Sequence, residues 1–358
     1  MGGIEQTIHR LAHGCSDAFD ITVLVCSGSR ARSEETDGPV RVVRVGELGR
    51  FSSAPIAPGF PKALYDLASQ ADILHFHHPN PTTDIAWLLK RPGKPIVVTY
   101  HSDVVRQKFS RILYNPVQRR MLAAARVIMP TSPQYQESSI WLQKFRDKCQ
   151  VVPLGIDLQA FEPTNERRHR AEQIRAEHHG EPLTIFVGRL RYYKGLTYLL
   201  QAMPHVPGKL LLVGTGPQME ALQTEAAELK IADRVIFLGE LNHENLVANL
   251  YAADVFCMPS HLRSEAFGLS MVEAMACGRP VVSTNIPTGV PFVNLHDVSG
   301  LNVDPSQPQA IAVALDRLHS DETLRRGLGA GARERAHTMF SQEAMCEKVM
   351  EVYRQILS

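Results

Sequence analysis

"RSEAFGLSMVEAMACGRPVVST", residues 263–284, decides how the rest of the chain is read. Before it, "VFCMPS" (255–260) reads as a short buried strand ended by a proline. A loop then carries Glu265 and Phe267-Gly268-Leu269. An apolar helix runs from about Ser270 to Cys277 and is stopped by Gly278 and Pro280, and a second β-branched run, "RPVVST" (279–284), follows. Strand, loop, helix, strand is the unit of a parallel sheet. The loop and the helix start also put two carboxylates, Glu265 and Glu273, eight positions apart with helix-start amides between them. Carboxylates accept hydrogen bonds and amides donate them, so this surface suits a ligand rich in hydroxyl groups. A plainer reading stands beside it. Ser270-Met-Val-Glu273 has the spacing of a capping box, in which both side chains serve the helix, and Glu265 is then a solvated loop acid.

The same alternation extends over almost the whole chain. In the first half, "ITVLVCS", "VRVVRV", "ILHFH", "PIVVTYH", "RVIMPTS" and "CQVVPLG" read as strands, and in the second half "LTIFVGRL", "KLLLVGTG", "RVIFLGEL", "VFCMPS", "RPVVST" and "GLNVDP" do so. Two sets of similar size predict an α/β chain of two Rossmann-like domains facing across a cleft. The turn-rich "PLGIDLQAFEP" and the charged "TNERRHRAEQIRAEHHGEP" mark the joint. The expected domains are residues 1–155 and 156–340, with a last helix of about 341–358 packing back on the first. Open parallel sheets bind ligands beyond the carboxyl ends of their strands, so the residues just after the strands carry the chemistry.

Composition narrows the functional classes. At 358 residues the formal net charge is +1, which gives no global attraction for nucleic acid. The six cysteines are scattered, with no C-x-x-C pair and no disulfide framework, which fits a reducing cytoplasm. No apolar run approaches the roughly 20 residues that span a bilayer, so any membrane contact is expected to be peripheral.

In the second half "VGRLRYYKG" places Arg189 and Lys194 on one loop after a strand, a guanidinium fork and an ammonium of different reach, as a diphosphate needs. "VGTGP" follows the next strand and lets backbone approach closely at Gly214 and Gly216. It is not a dinucleotide fingerprint, because Met219 stands where the third glycine belongs.

"SEAFGLSMVEAMACGRPVV" resembles the E-x7-E signature of retaining GT-B glycosyltransferases, particularly glycosyltransferase family 4. "GRL…KG", "VGTGP", "FLGEL" and "GLNVDP" stand in that family's order, and the resemblance covers nearly the entire chain. It implies a sugar-nucleotide-dependent transferase that uses no metal or cofactor. Arg189 and Lys194 would then hold the donor diphosphate, and Glu265 would bind the transferred sugar with the amides of Phe267, Gly268 and Leu269. Glu273 would bind the ribose, Gly239 and Leu241 would lie against the base, and Gly188 and Gly214 would line the donor site. The wording "HFHHPNP", "TYHSDVVRQK" and "PTGVPFVN" is most similar to bacterial polysaccharide and O-antigen mannosyl- or rhamnosyltransferases, which makes GDP-mannose the first expected donor and a saccharide or polyprenyl-linked saccharide the acceptor.

In the first half His101 stands where the resemblance implies a donor-sugar contact, with Asp103 and His77 on the acceptor side. His75 and His77 form an H-x-H on a strand, which supports a competing reading as a metal-dependent hydrolase; a nucleotide-sugar binder without catalysis is a third. The basic stretch 106–126, with Arg106, Lys108, Arg111, Arg119, Arg120 and Arg126, suits an anionic membrane surface if the acceptor is lipid-linked. The chain opens "MGGIEQTIHRLA", where Gly2 and Gly3 read as a loop beneath the donor. In the resembled family a strand precedes that loop, so the first strand of the amino-terminal domain is expected to be missing from the chain as given.

Overall fold

The computed structural model describes residues 3–51, 54–103 and 108–358. The chain divides into two compact units, residues 1–155 with 342–358, and residues 156–341.

The first unit runs α1 (Gly3–Cys15), β1 (Thr22–Cys26), β2 (Ser33–Asp37), β3 (Val40–Val45), β4 (Gly49–Phe51), β5 (Ala54–Ile56), α2 (Phe60–Ala68), β6 (Leu74–His78), α3 (Pro81–Lys90), β7 (Ile96–Tyr100), α4 (Lys108–Ala124), β8 (Val127–Pro130), α5 (Pro133–Ser138) and α6 (Ile140–Lys144). Its strands form separate ladders. β1 and β3 pair in parallel, β2 returns antiparallel on β3, and β6, β7 and β8 form a parallel set with no pairing to β1. β7 is buried at every residue, as a strand covered on both faces must be.

Two expectations fail here. "CQVVPLG" forms no continuous strand: Cys149 bridges Ile128, and the Gln150 and Val152 amides donate to the Ile128 and Pro130 carbonyls of β8, but the contact with the sheet stops there. Gly3 is not in a loop but is the first residue of α1. Gly2 and Arg106 lie outside the described residues, as do the side chains of Lys108 and Arg111.

The second unit runs α7 (Asn165–Glu177), β9 (Leu183–Val187), α8 (Leu196–Ala202), β10 (Lys209–Val213), α9 (Met219–Glu228), β11 (Val235–Gly239), α10 (His243–Ala252), β12 (Val255–Met258), α11 (Leu269–Ala276), β13 (Val281–Thr284), α12 (Val290–Val293), β14 (Gly300–Val303), α13 (Pro308–Ser320) and α14 (Glu322–Met339); α15 (Gln342–Leu357) then belongs to the first unit. Its six strands are parallel in the order β11-β10-β9-β12-β13-β14. That is the doubly wound order 3-2-1-4-5-6, and it reverses between β9 and β12, where such sheets open their ligand crevice. Leu210, Leu212, Val255 and Val282 fill one face of the sheet beneath α8 and α13, holding the strand ends in place. Among the described residues no helix is long and apolar enough to cross a membrane.

Candidate functional site

The strand ends at the reversal carry the residues singled out by spacing. Gly188 and Arg189 follow β9, and Ser260 follows β12. Gly188 adopts φ +148, a backbone conformation that favours glycine, and lies against the Lys194 side chain. The loops after β9, β10 and β11 are laced together. The Leu190 amide donates to the Thr215 carbonyl at 2.9 Å, the Gly214 amide to the Gly239 carbonyl at 2.7 Å, and the Thr215 hydroxyl to Glu240 at 2.9 Å. Leu241, half-buried, follows on the same edge.

Lys194 and Glu265, 71 positions apart in sequence, meet as a buried ion pair with Nζ 2.5 Å from Oε2. Only 8% of Lys194 and 7% of Glu265 remain exposed. Burial pushes the Lys194 ammonium toward the neutral form, but the Glu265 carboxylate beside it, with Tyr193 and Glu273 further off, holds its pKa above the ordinary value. The Ser260 hydroxyl donates to the same Oε2 at 3.2 Å. Both contacts therefore fall on one oxygen, and Oε1 has no partner among the described residues. Arg189 is exposed, with no ion-pair partner among the described residues. The two cations of one loop thus differ in state: one is locked to a carboxylate and the other is open to solvent.

The helix start corrects the capping-box reading. α11 begins at Leu269, and its N-cap is Gly268 in the left-handed region (φ +86), with no side-chain cap; Ser270 lies inside the first turn. Glu273 is one turn further along, half-buried and engaged with a neighbour. The amides of Phe267, Gly268 and Leu269 have no backbone acceptor among the described residues, so the loop that carries Glu265 also offers free donors at the start of α11. The Phe267 ring is buried edge-on against Phe340, which leaves only its backbone for a ligand.

In the first unit His101 follows β7 and is buried. Its Nε2 lies 2.9 Å from Nδ1 of His77, and the two rings stack. His77 in turn stacks on His75, whose nitrogens are taken by the Tyr353 hydroxyl (2.6 Å) and the Thr99 hydroxyl (2.7 Å). Both nitrogens of His75 are thus occupied, which removes the strand H-x-H as a metal site. Burial keeps these rings neutral, lowering His75 to about 4 and His101 to about 3. Asp103 is turned inward: its Oδ1 accepts from the hydroxyls of Tyr100 (2.8 Å) and Ser139 (2.7 Å), which braces the loop after β7. Sequence reading missed His9 and His13, an H-x-x-x-H on α1, which meet Asp37.

The chain thus joins a doubly wound sheet, with a buried Lys–Glu pair and free helix-start amides at its switch point, to a second α/β unit, and its likeness to known proteins makes it a GT-B glycosyltransferase. Solved structures agree: sucrose-phosphate synthase from Thermosynechococcus elongatus superposes with TM-score 0.82 at 26% identity, over 99% of this chain and 94% of that one. Anabaena Alr3699/HepE, solved with UDP-glucose, gives 0.79 at 20% identity over 99% and 96%. Residues 168–335 match the family Glycosyl transferases group 1 and residues 1–160 match Glycosyltransferase Family 4. O-antigen chain mannosyltransferase C of Escherichia coli is 34% identical over 99% of this chain and 95% of that protein. D-rhamnosyltransferase WbpZ of Pseudomonas aeruginosa is 35% identical over 95% and 89%. The chain belongs to glycosyltransferase family 4.

Proposed function

We propose that this enzyme moves a manno-configured hexose, with GDP-mannose the first donor to test, onto a saccharide or polyprenyl-linked saccharide of a cell-surface polysaccharide, with retention at the anomeric carbon. The observation that carries it is the Lys194–Glu265 pair, which leaves Oε1 open on the same loop as the free amides that start α11. The names of the two relatives, a mannosyltransferase and a rhamnosyltransferase, support the sugar, since rhamnose is 6-deoxymannose. Glu265 Oε1 accepts from hydroxyls of the transferred sugar while the amides of Phe267, Gly268 and Leu269 donate. Arg189 and Lys194 neutralise the diphosphate, with Gly188 and Gly214 allowing its close approach. Glu273 takes the ribose, and the Gly239 to Leu241 edge meets the base. On the first unit, the role that the resemblance implies for His101, a donor-sugar contact, falls to a buried neutral ring held by His77.

In the reaction the bond from the anomeric carbon to the β-phosphate oxygen breaks and its electron pair leaves with the nucleoside diphosphate. The acceptor oxygen bonds to that carbon on the same face, and its proton passes to the departing phosphate oxygen. No protein base is needed. The chain's contribution is the positive field of Arg189 and Lys194 on the leaving group, so no resident cofactor is called for. Exposed Arg119, Arg120 and Arg126 offer a peripheral contact for anionic lipid near a lipid-linked acceptor.

Thermal shift against a panel of nucleotide sugars, followed by a transfer assay with the donor that stabilises most, tests the reading. Stabilisation by GDP-mannose and retained anomeric configuration in the product support it. Stabilisation by a different donor replaces the sugar assignment, and binding with neither transfer nor slow donor hydrolysis leaves only a nucleotide-sugar binder.

A further inference from the structure

Apart from every residue used above, α1 carries His9 and His13 one helical turn apart, their ring centroids separated by 4.3 Å. Both aim Nε2 at the same atom, Oδ2 of Asp37, at 3.4 and 3.1 Å. Asp37 ends β2 where the chain turns at Gly38, and a Cβ on Gly38 would lie 3.6 Å from Cε1 of His13. The other acids of β2 are committed elsewhere, Glu34 to Arg41 and Glu35 to Arg44. Asp37 alone among them is turned to the helix.

The three donor atoms lie within 4.8 Å of one another. In a tetrahedral zinc site with bonds of about 2.0–2.2 Å, neighbouring ligand atoms stand roughly 3.3–3.5 Å apart. The two nitrogen-to-oxygen separations sit at or just under that spacing. Two imidazoles and one carboxylate are also a donor set suited to a borderline divalent ion. With His9 and Asp37 each 53% exposed, the fourth position is open to water.

We propose that His9, His13 and Asp37 bind one divalent transition-metal ion of the zinc class, and that the ion ties α1 to the β2–β3 hairpin. The role is structural and independent of sugar transfer. It also revises the expectation of a chain with no metal.

The full chain, stripped with EDTA and dialysed, is titrated with zinc by calorimetry and with cobalt by visible absorption. The expected result is one zinc per chain, the intense absorption of tetrahedral cobalt, and a melting temperature that rises with zinc. His9→Gln and Asp37→Asn should each weaken zinc binding by about tenfold or more and abolish the cobalt band. Their metal-free melting temperatures should stay at the parent value, since both side chains are half exposed, and His205→Gln, on an exposed histidine elsewhere, should bind as the parent does. Weak binding at several sites, or zinc affinity unchanged in Asp37→Asn, overturns the proposal.

Discussion

At the scale of single residues, Arg189 and Lys194 share a loop and a charge but not a situation. Lys194 is buried against Glu265, so Lys194→Ala leaves an unpaired carboxylate in the interior and should cost about 3–5 kcal/mol of stability along with activity. The double variant Lys194→Met, Glu265→Leu should regain the melting temperature but not transfer, because it removes both charges together. Exposed Arg189 offers the contrast. Arg189→Ala should leave the melting temperature unchanged and weaken nucleoside diphosphate binding by about 1.5–3 kcal/mol in calorimetry. The histidine stack gives a pH dependence with a definite sign. Unfolded histidine titrates near 6.5, whereas burial lowers folded His75 to about 4 and His101 to about 3. As pH falls from 6.5 toward 4 the unfolded chain takes up protons that the folded chain refuses, so stability drops across that window and levels off below it. Urea midpoints at pH 7.5 and 5.0 should show the loss, and His101→Asn should make it shallower.

At the scale of elements, α11 is set by Gly268 rather than by a capping side chain. Gly268→Ala would push a Cβ to 2.7 Å from Cε of Met271 and 3.0 Å from Sδ of Met258, at a φ of +86. It should destabilise by roughly 1–2 kcal/mol from the backbone conformation alone and weaken donor binding by displacing the helix-start amides. Ser270→Ala, by contrast, should change the urea midpoint by no more than about 0.5 kcal/mol, because Ser270 caps nothing. A large effect at Ser270 would restore the capping box. The difference marks how far sequence reading reaches. All strands of the second unit were legible, because runs such as "LTIFV" and "KLLLV" are buried nearly throughout and leave no competing period. β2, "SEETD", was not: every residue is exposed, and what holds it is pairing to β3 and the diagonal Arg41–Glu34 and Arg44–Glu35 ion pairs across that ladder, which no local pattern announces. "CQVVPLG" has strand composition and runs along β8 through the Cys149 bridge and the Gln150 and Val152 amides, but it makes no continuous ladder there. Site positions after strands could be read. The Lys194–Glu265 pairing could not, since it is made by the β9–β12 adjacency that spacing along the chain does not encode.

At the scale of the molecule, the chain leaves the first unit at Gly155 and rejoins it at Gln342. The two passages lie side by side, the Ile156 amide donating to the Phe340 carbonyl at 2.9 Å. α15 then buries Met345, Cys346, Val349 and Val352, and sets the Tyr353 hydroxyl on His75. Full burial of such side chains is worth about 1.5–3 kcal/mol each, together comparable with the roughly 5–15 kcal/mol that holds a domain folded. Truncation after Ser341 should therefore abolish the calorimetric transition of the first unit and leave that of the second; a first unit melting unchanged would make α15 dispensable. The same return of the chain also sets a timetable for synthesis on the ribosome. Residues 156–341 are contiguous, so the second unit can close as soon as it has emerged, while the first, although made earlier, waits on Gln342–Leu357. The usual amino-to-carboxyl order of domain maturation is reversed here, and the half that emerges first stays longest within reach of chaperones and proteases.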